Sequence, residues 1–401
     1  MNLPEEVLYC IKRIEEYGRE AYVVGGATRS FLLGLDIHDY DLTTSALPLE
    51  LQEIFKEDKL IETGLKHGTI TILKNHLPIE ITTYRKDTTY EDHRHPDEVI
   101  FTSSLKDDLK RRDFTMNAIA YHPDTGFIDL FNGIHDIKHE RIRTVGKASI
   151  RFEEDALRII RALRFSSELG FTIEQDTSSS IHHKKEDLTY VAIERIIVEL
   201  TRLLEGDYVE EVLKEYKDIL EVFLPVLKEY TDTDWDYIIK AISSSSNDFI
   251  IRFSLLLTPV KDKLPTGFYR HLKLSNDLTQ RMKAFLSHET SSLETTSSLR
   301  YLCRDFEEDS ISYIEYRCAL DSSLNKKELL HEVERILQED TYTLKQLKIN
   351  GHDLVELGLQ GKQIQFILEE LLDSVIQDKC LNEYEALVNY YKTSLISSNK
   401  L

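Results

Sequence analysis

The sequence predicts an α/β (α+β) domain built on a small mixed sheet, followed by an elongated, all-α remainder. Two observations carry this. Up to about residue 140, short runs with strand-like alternation are interleaved with short helical stretches. Beyond Gly146 the apolar residues recur at helical spacing to the end of the chain. At 401 residues the chain exceeds one ordinary core, so several domains are expected.

In chain order, AYVVGG reads as a strand entering a Gly-Gly turn, and ATRSFLL as a short helix ended by Gly34. IHDYDLTT is a second strand, GTITILKN a third, and LPIEITTY a fourth with strict alternation. RRDFTMNAIAYH reads as a short helix leading into another strand. SIRFEEDALRIIRALRFSSEL predicts one continuous helix from Ser149 to Leu169, and VAIERIIVELTRLL and VEEVLKEYKDIL predict two more. Loops are expected at Ser243–Asn247 and across residues 288–298. Near the C-terminus, LKQLKINGHDLVELGLQGKQIQFILEELL suggests short helices broken at Gly351, Gly358 and Gly361.

Hydrophobic content of 41% and charged content of 30% describe an ordinary globular chain, and no apolar run approaches the ~20 residues of a membrane span. The charged amphipathic start MNLPEEVLYCIKRIEEYG has no signal-peptide core. Cys10, Cys303, Cys318 and Cys380 lack metal-ligand or paired spacing. Together these predict a reducing, cytoplasmic setting. A formal charge of −21 excludes indiscriminate nucleic-acid binding but not a local basic surface. The stretch Lys138–Arg151, with five Lys or Arg against Glu140, is either a solvated loop or a phosphate contact.

Asp39 and Asp41 stand two apart in a strand-like run, so they point to one face and repel unless a cation lies between them. A hard divalent metal takes such oxygens; a surface turn is the plain alternative. Upstream, Gly25-Gly26-Ala27-Thr28-Arg29 joins a strand to a helix, where free backbone N–H groups favour an anion and Arg29 adds a bidentate donor. It lacks the Gly-Lys-Ser/Thr ending of a P-loop. In Lys110–Ala118 the arginines suit phosphate while Asp113 and Asn117 bond locally, or the stretch is simply a capped helix start.

At about 100° per residue, Phe152, Ala156, Ile160 and Leu163 share one face of the Ser149–Leu169 helix, the core face. Asp155, Arg158, Arg161 and Arg164 recur every third residue and drift around the rest, so they cannot all meet one group. A solvated salt-bridge stripe is one reading. The other is chemical: Asp155 only accepts and Arg158 only donates. Cytosine and adenine show an amino donor beside a ring-nitrogen acceptor, whereas uracil and guanine show the reverse. The pair therefore suits C and A and rejects U and G.

At these motifs the chain resembles the class II tRNA nucleotidyltransferases, the CCA-adding enzymes, and more distantly bacterial poly(A) polymerases. The resemblance rests on GGATRSFLLGLDIHDYDLTT, on ITTYRKDTTYEDHRHPDEVIFTSSLKDDLKRRDFTMNA and on RFEEDALRIIRALRF, covering about residues 20 to 170; ERIIVELTRLL and INGHDLVELGLQGKQI match more weakly. It implies a nucleotidyltransferase head at 1–140, a neck with the nucleotide-selecting helix at 141–205, a body at 206–287 and a tRNA-binding tail at 288–401. It implies Mg²⁺ on Asp39 and Asp41, the triphosphate of ATP or CTP on Gly26, Arg29 and Arg112, and base reading by Asp155 and Arg158. Arg161 and Arg164 match nucleotide-contacting positions of the family, where they would touch phosphate or buttress the pair.

The implied reaction is template-independent addition of C, C and A to the tRNA 3′ end, with no membrane partner and a homodimer left open. Ser30 departs from the family's usual aspartate, which leaves the orientation of Arg29 open. The superfamily's third carboxylate is assigned to Glu80, because Ile79 and Ile81 would face the core and leave it on the other side. Family members that stop after CC lack much of the segment matching Arg85–Pro96, which is present here. An A-adding enzyme, a poly(A) polymerase and a non-catalytic tRNA-binding protein are the alternatives. Three His-Asp dipeptides have no His cluster to complete a metal phosphohydrolase site.

Overall fold

The computed structural model describes residues 1–62, 64–87, 99–288 and 292–395. The chain forms two compact units. One comprises Met1–Tyr230 with Arg270–Lys273, the other Thr231–Tyr269 with Leu274–Leu401.

The first unit opens with helix α1 (Glu5–Glu16) and strand β1 (Ala21–Val24), followed by α2 (Gly26–Leu33), β2 (Tyr40–Thr44) and α3 (Pro48–Ile54). Strands β3 (Lys59–Ile61), β4 (Thr69–Lys74) and β5 (Leu77–Thr83) come next. β6 (Arg85–Asp87) and β7 (Val99–Phe101) pair only with each other. After α4 (Leu105–Lys110), β8 (Ile119–His122) and β9 (Gly126–Asp129) complete a seven-stranded sheet of order β3-β4-β5-β2-β1-β8-β9. The sheet is mixed, as expected: β2 and β5 run parallel and the other neighbours antiparallel. β3 and β9 were not legible, being too short to display an alternation.

Alternation is decisive in β5, where Ile79 and Ile81 are fully buried while Pro78 and Glu80 are exposed. Val7, Cys10, Ile11 and Ile14 of α1 join Leu42, Ile70, Ile72, Ile79 and Ile81 in one core. The opposite face is thereby left for chemistry.

Helices follow: α5 (Gly133–Lys138), α6 (Ala148–Glu154), α7 (Leu157–Leu169), α8 (Gln175–Lys184), α9 (Ile193–Leu204), α10 (Val209–Glu215) and α11 (Lys217–Phe223), with a small parallel pair β10 (Arg141–Ile142) and β11 (Thr172–Ile173). Two expectations about these helices need correction. The helix from Ser149 to Leu169 is not continuous, because Asp155 is extended, with φ −148° and ψ 103°. Its own Oδ1 accepts the Leu157 N–H at 3.1 Å, a local bond that competes with the helix. Periodicity missed the break because Phe152 and Ala156 stay buried on both sides of it. VEEVLKEYKDIL likewise divides into α10 and α11 at Tyr216, whose ring is buried.

The second unit is all-helical among the described residues. The loop foreseen near Ser243 falls at 245–248, between α12 (Asp232–Ser244) and α13 (Phe249–Leu257). In the loop foreseen at 288–298, residues 289–291 lie outside the described residues, and a helix begins at Thr296. Gly351 does not break a helix but begins one: the Asn350 side chain caps it by accepting the His352 and Asp353 N–H groups. Gly358 (φ +92°) and Gly361 (φ +57°) lie between helices as expected. No described helix is long and apolar enough to cross a membrane.

Candidate active site

The site grows from the sheet face opposite the α1 core. In the parallel β2–β5 ladder, Asp41 and Glu80 are direct register partners, and Val24 of β1 is the partner of Asp41 on the other side. Asp39 stands one residue ahead of β2 rather than inside it, and is exposed; Asp41 is half-buried. Burial, the Glu80 charge and the Asp39 charge push the Asp41 carboxyl up to about 6, against the opposing pull of Arg112.

The turn after β1 closes over this carboxylate. A Cβ on Gly25 would lie 3.4 Å from Asp41 Oδ2 and 3.5 Å from Arg112 Nη1, and Gly25 has φ +73°. Glycine is required here both for the left-handed backbone and for the close approach. Thus Gly25, more than Gly26, faces Asp41 and Arg112. The nearest side-chain atom to a Cβ on Gly26 would be Arg29 Nη2 at 4.0 Å.

Arg112 reaches Asp108 at 3.5 Å, while Arg111 grips the same carboxylate with Nε at 3.0 Å and Nη2 at 2.7 Å. Asp108 is fully buried and also accepts from Thr43 Oγ1 at 3.0 Å. Burial alone would raise its carboxyl, but the two arginines and Thr43 hold it below the ordinary range. Arg111 is therefore neutralised internally, leaving Arg112, with its buried Nε unpartnered, as the cation next to Asp41.

Arg29 donates through Nη1 to Asn117 Oδ1, and its guanidinium lies 4.9 Å from the centre of the Phe165 ring. Its orientation is set by Asn117 and Phe165, which answers the question raised by Ser30. Its Nε is also buried without a partner.

Asp155 and Arg158 lie near each other but have different partners. Asp155 Oδ2 accepts from Arg195 Nη2 at 3.1 Å. Arg158 is buried; it donates to Glu154 Oε2 at 2.8 Å and to the carbonyls of Arg151 at 3.1 Å and Arg111 at 3.0 Å. It would have to exchange some of these bonds to read a base edge. Arg161 donates to Asp113 Oδ2 through Nε at 3.0 Å and Nη2 at 2.7 Å, and to Glu199 at 3.2 Å. Arg164 forms an ion pair with Glu199 at 2.8 Å and stacks 4.1 Å from the Phe165 centroid. All four residues do not meet one group, but Arg161 and Arg164 do share Glu199.

Sequence reasoning missed Asp108, Arg195 and Glu199, and gave Asp113 only a local bond. That bond exists, Asn117 Nδ2 donating at 3.0 Å, but Asp113 also anchors Arg161. A signal for Glu199 was available: it is a charge on the apolar face of α9, buried with Ile196, Leu200 and Leu203. In the basic stretch Lys138–Arg151, Arg143 is paired with Asp136 and Arg151 with Glu154, which reduces its free positive charge.

Among the described residues, no three His, Cys, Asp or Glu side chains already form a closed metal cage. The donor chemistry nevertheless fits a hard divalent cation. Asp39, Asp41 and Glu80 offer only oxygens, and a carboxyl such as Asp41, raised by burial and then by the like charges beside it, is one that a cation would relieve.

Comparison with known proteins shows the family and the fold. A family model described as the poly A polymerase head domain matches residues 21–143, and one for tRNA nucleotidyltransferase domain 2 matches residues 244–391. The chain is 35% identical to the CCA-adding enzyme of Levilactobacillus brevis, over 96% of this chain and 98% of that one. It is 35% identical to that of Staphylococcus saprophyticus, over 96% of each. The crystal structure of the Bacillus stearothermophilus CCA-adding enzyme in complex with CTP superposes with a TM-score of 0.85, at 31% identity and over the whole of both chains.

Proposed function

The chain belongs to the CCA-adding enzymes, and from that premise we propose how its residues divide the work of adding C, C and A to the 3′ end of tRNA from CTP and ATP. It is a tRNA nucleotidyltransferase. In each cycle the terminal 3′-hydroxyl attacks the α-phosphorus of the incoming nucleotide, a new P–O bond forms, and pyrophosphate leaves as the old one breaks. Enzymes of this family use a divalent metal.

Asp39 and Asp41 hold that metal, Mg²⁺ in this reading, and Glu80 lies next to them to orient or deprotonate the attacking hydroxyl. When bound, the ion makes the hydroxyl more acidic and offsets charge on the departing pyrophosphate. The Gly25-Gly26 turn lets phosphate approach the backbone, and Arg112 and Arg29 supply the positive charge. Asp155 and Arg158 read the base edge; Arg161 and Arg164, held by Asp113 and Glu199, act from behind them. The observation that carries the assignment is the placement of Asp41 beside Glu80 and under Gly25 and Arg112.

We assign the head to 1–140, the neck to 141–205, the body to 206–287 and the tRNA-binding tail to 288–401, in a cytoplasmic enzyme. The test is nucleotide incorporation into tRNAs ending before the first C, after CC and after CCA. Three, one and no additions are expected, and continued polymerisation of adenylate would instead favour a poly(A) polymerase.

A further inference from the structure

Helix α9 packs against α7, and the proposed mechanism uses it only through Glu199, which holds Arg161 and Arg164. Two of its residues one turn apart reach this region: Arg195 meets the base-reading Asp155, and Glu199 meets the supporting Arg161 and Arg164. Their roles differ. Glu199 is buried and collects two arginines, as a packing element would. Arg195 meets the single acceptor on which discrimination depends.

The Asp155 carboxylate sits at the break between α6 and α7, where the backbone is extended although its N–H still reaches the Arg151 carbonyl at 3.4 Å. Oδ1 is bound to the Leu157 N–H at 3.1 Å and Oδ2 to Arg195 Nη2 at 3.1 Å. One donor on each oxygen determines the plane of the carboxylate and the direction of its remaining lone pairs. Arg195 therefore decides which way Asp155 presents its acceptor. Its second terminal nitrogen, Nη1, is buried with no hydrogen-bond partner in the structure. A buried donor left unmet is uncommon in a native fold and calls for an explanation, such as a water or an ion.

We infer that Arg195 is a specificity-determining positioning residue of the nucleotide site, orienting Asp155 so that it accepts from the amino group of cytosine or adenine. This rests on the reading of Asp155 as a base-selecting residue. The bond that Arg195 makes in the site goes to Asp155 and not to the carboxylates assigned to the metal. An angular error in Asp155 would weaken its bond to the correct base more than its contact with the wrong one, because only the correct base supplies a donor there.

The experiment measures kcat/KM for CTP and UTP on tRNA lacking CCA, and for ATP and GTP on tRNA ending in CC. The proteins are wild type, Arg195→Gln, Arg195→Lys, Asp155→Asn and the Arg195→Gln/Asp155→Asn double variant, with tRNA affinity and thermal midpoint recorded for each. Arg195→Gln is expected to narrow the CTP/UTP and ATP/GTP ratios about tenfold, with tRNA affinity unchanged. Arg195→Lys should recover part of the ratio, and the double variant should be no less selective than Asp155→Asn alone. If Arg195→Gln slows all four nucleotides equally, or only lowers the thermal midpoint, the residue is structural and the inference fails. If Arg195→Gln does not fold, the same criterion is applied to Arg195→Lys. If Asp155→Asn itself keeps full selectivity, the base-reading assignment fails. If Asp155→Asn loses selectivity and neither Arg195 variant does, only the role of Arg195 is overturned.

Discussion

Asp41 and Glu80 face each other as register partners across the parallel β2–β5 pair, so two carboxylates share one edge of the sheet face. With Asp39 just ahead of the strand, the arrangement concentrates negative charge where Arg112 is the nearby counter-ion. Such a cluster is unfavourable in the empty protein and favourable once a divalent cation binds.

Substituting Asp39→Asn or Asp41→Asn is expected to remove addition of both C and A, since both steps share one metal site, while tRNA binding persists. Incorporation of labelled CTP and ATP at saturating Mg²⁺, alongside a tRNA gel shift, checks this. Near-normal incorporation by either variant would overturn the metal assignment.

The same substitution at Asp41 should stabilise the metal-free protein. The folded carboxyl is raised from 3.8 to about 6, so between those values the native state holds more protons than the unfolded chain. Stability therefore falls as pH rises through that window, by at most about 3 kcal/mol at ~1.36 kcal/mol per unit. Urea unfolding without metal should show Asp41→Asn more stable than wild type at pH 7.5, with the difference gone below about pH 4. Mg²⁺ should raise the wild-type midpoint more at pH 7.5 than at pH 5, because protons compete for its ligand. No pH dependence in the difference would contradict the raised carboxyl.

Asp155→Ala or Arg158→Ala should degrade selectivity against UTP and GTP more than tRNA affinity. The loss of a pairing group in a buried site is worth ~1–3 kcal/mol. Competition among all four triphosphates decides it, and unchanged selectivity in both variants would reduce these residues to structural partners of Arg195 and Glu154.

Asp113→Ala should cost about 3–5 kcal/mol of stability, because it leaves Arg161 facing Glu199 with one carboxylate removed and strands the Asn117 amide. Burial would raise the Asp113 carboxyl, but Arg161, Asn117 and the Phe114 N–H outweigh it and hold it far below the ordinary range. Its contribution is thus complete above the unfolded carboxyl value and is lost as pH falls toward the folded one. Chemical denaturation at pH 7 and pH 3 should show the wild-type advantage shrinking in acid. An equal difference at both pH values would argue against the ion pair.

With CTP alone, tRNA lacking all three terminal nucleotides should receive two cytidines, and subsequent ATP one adenosine. Gel-resolved products read this directly; no cytidine addition would favour an A-adding enzyme. The segment Arg85–Pro96, on which the expectation of adenine addition rests, falls from residue 88 onward outside the described residues.

The sequence by itself determined the class of fold and the five head strands with enough alternation to be seen, and it singled out Asp39, Asp41 and Glu80 as candidate carboxylates. Those signals are local: a strand's two faces and an acidic pair are written within a few neighbouring residues. Glu80 could be assigned to the outer face because Ile79 and Ile81 must go inward. Only the tertiary structure decided that Glu80 stands beside Asp41, since parallel pairing joins strands whose register no adjacent residues encode. It alone broke the Ser149–Leu169 helix at Asp155, whose side chain takes the Leu157 N–H without moving the buried face. It also identified the partners of Arg161 and Arg164 as Asp113 and Glu199. An ion pair depends on which distant side chains the packed core brings within about 4 Å, and that distance is a property of the folded chain rather than of any stretch of it.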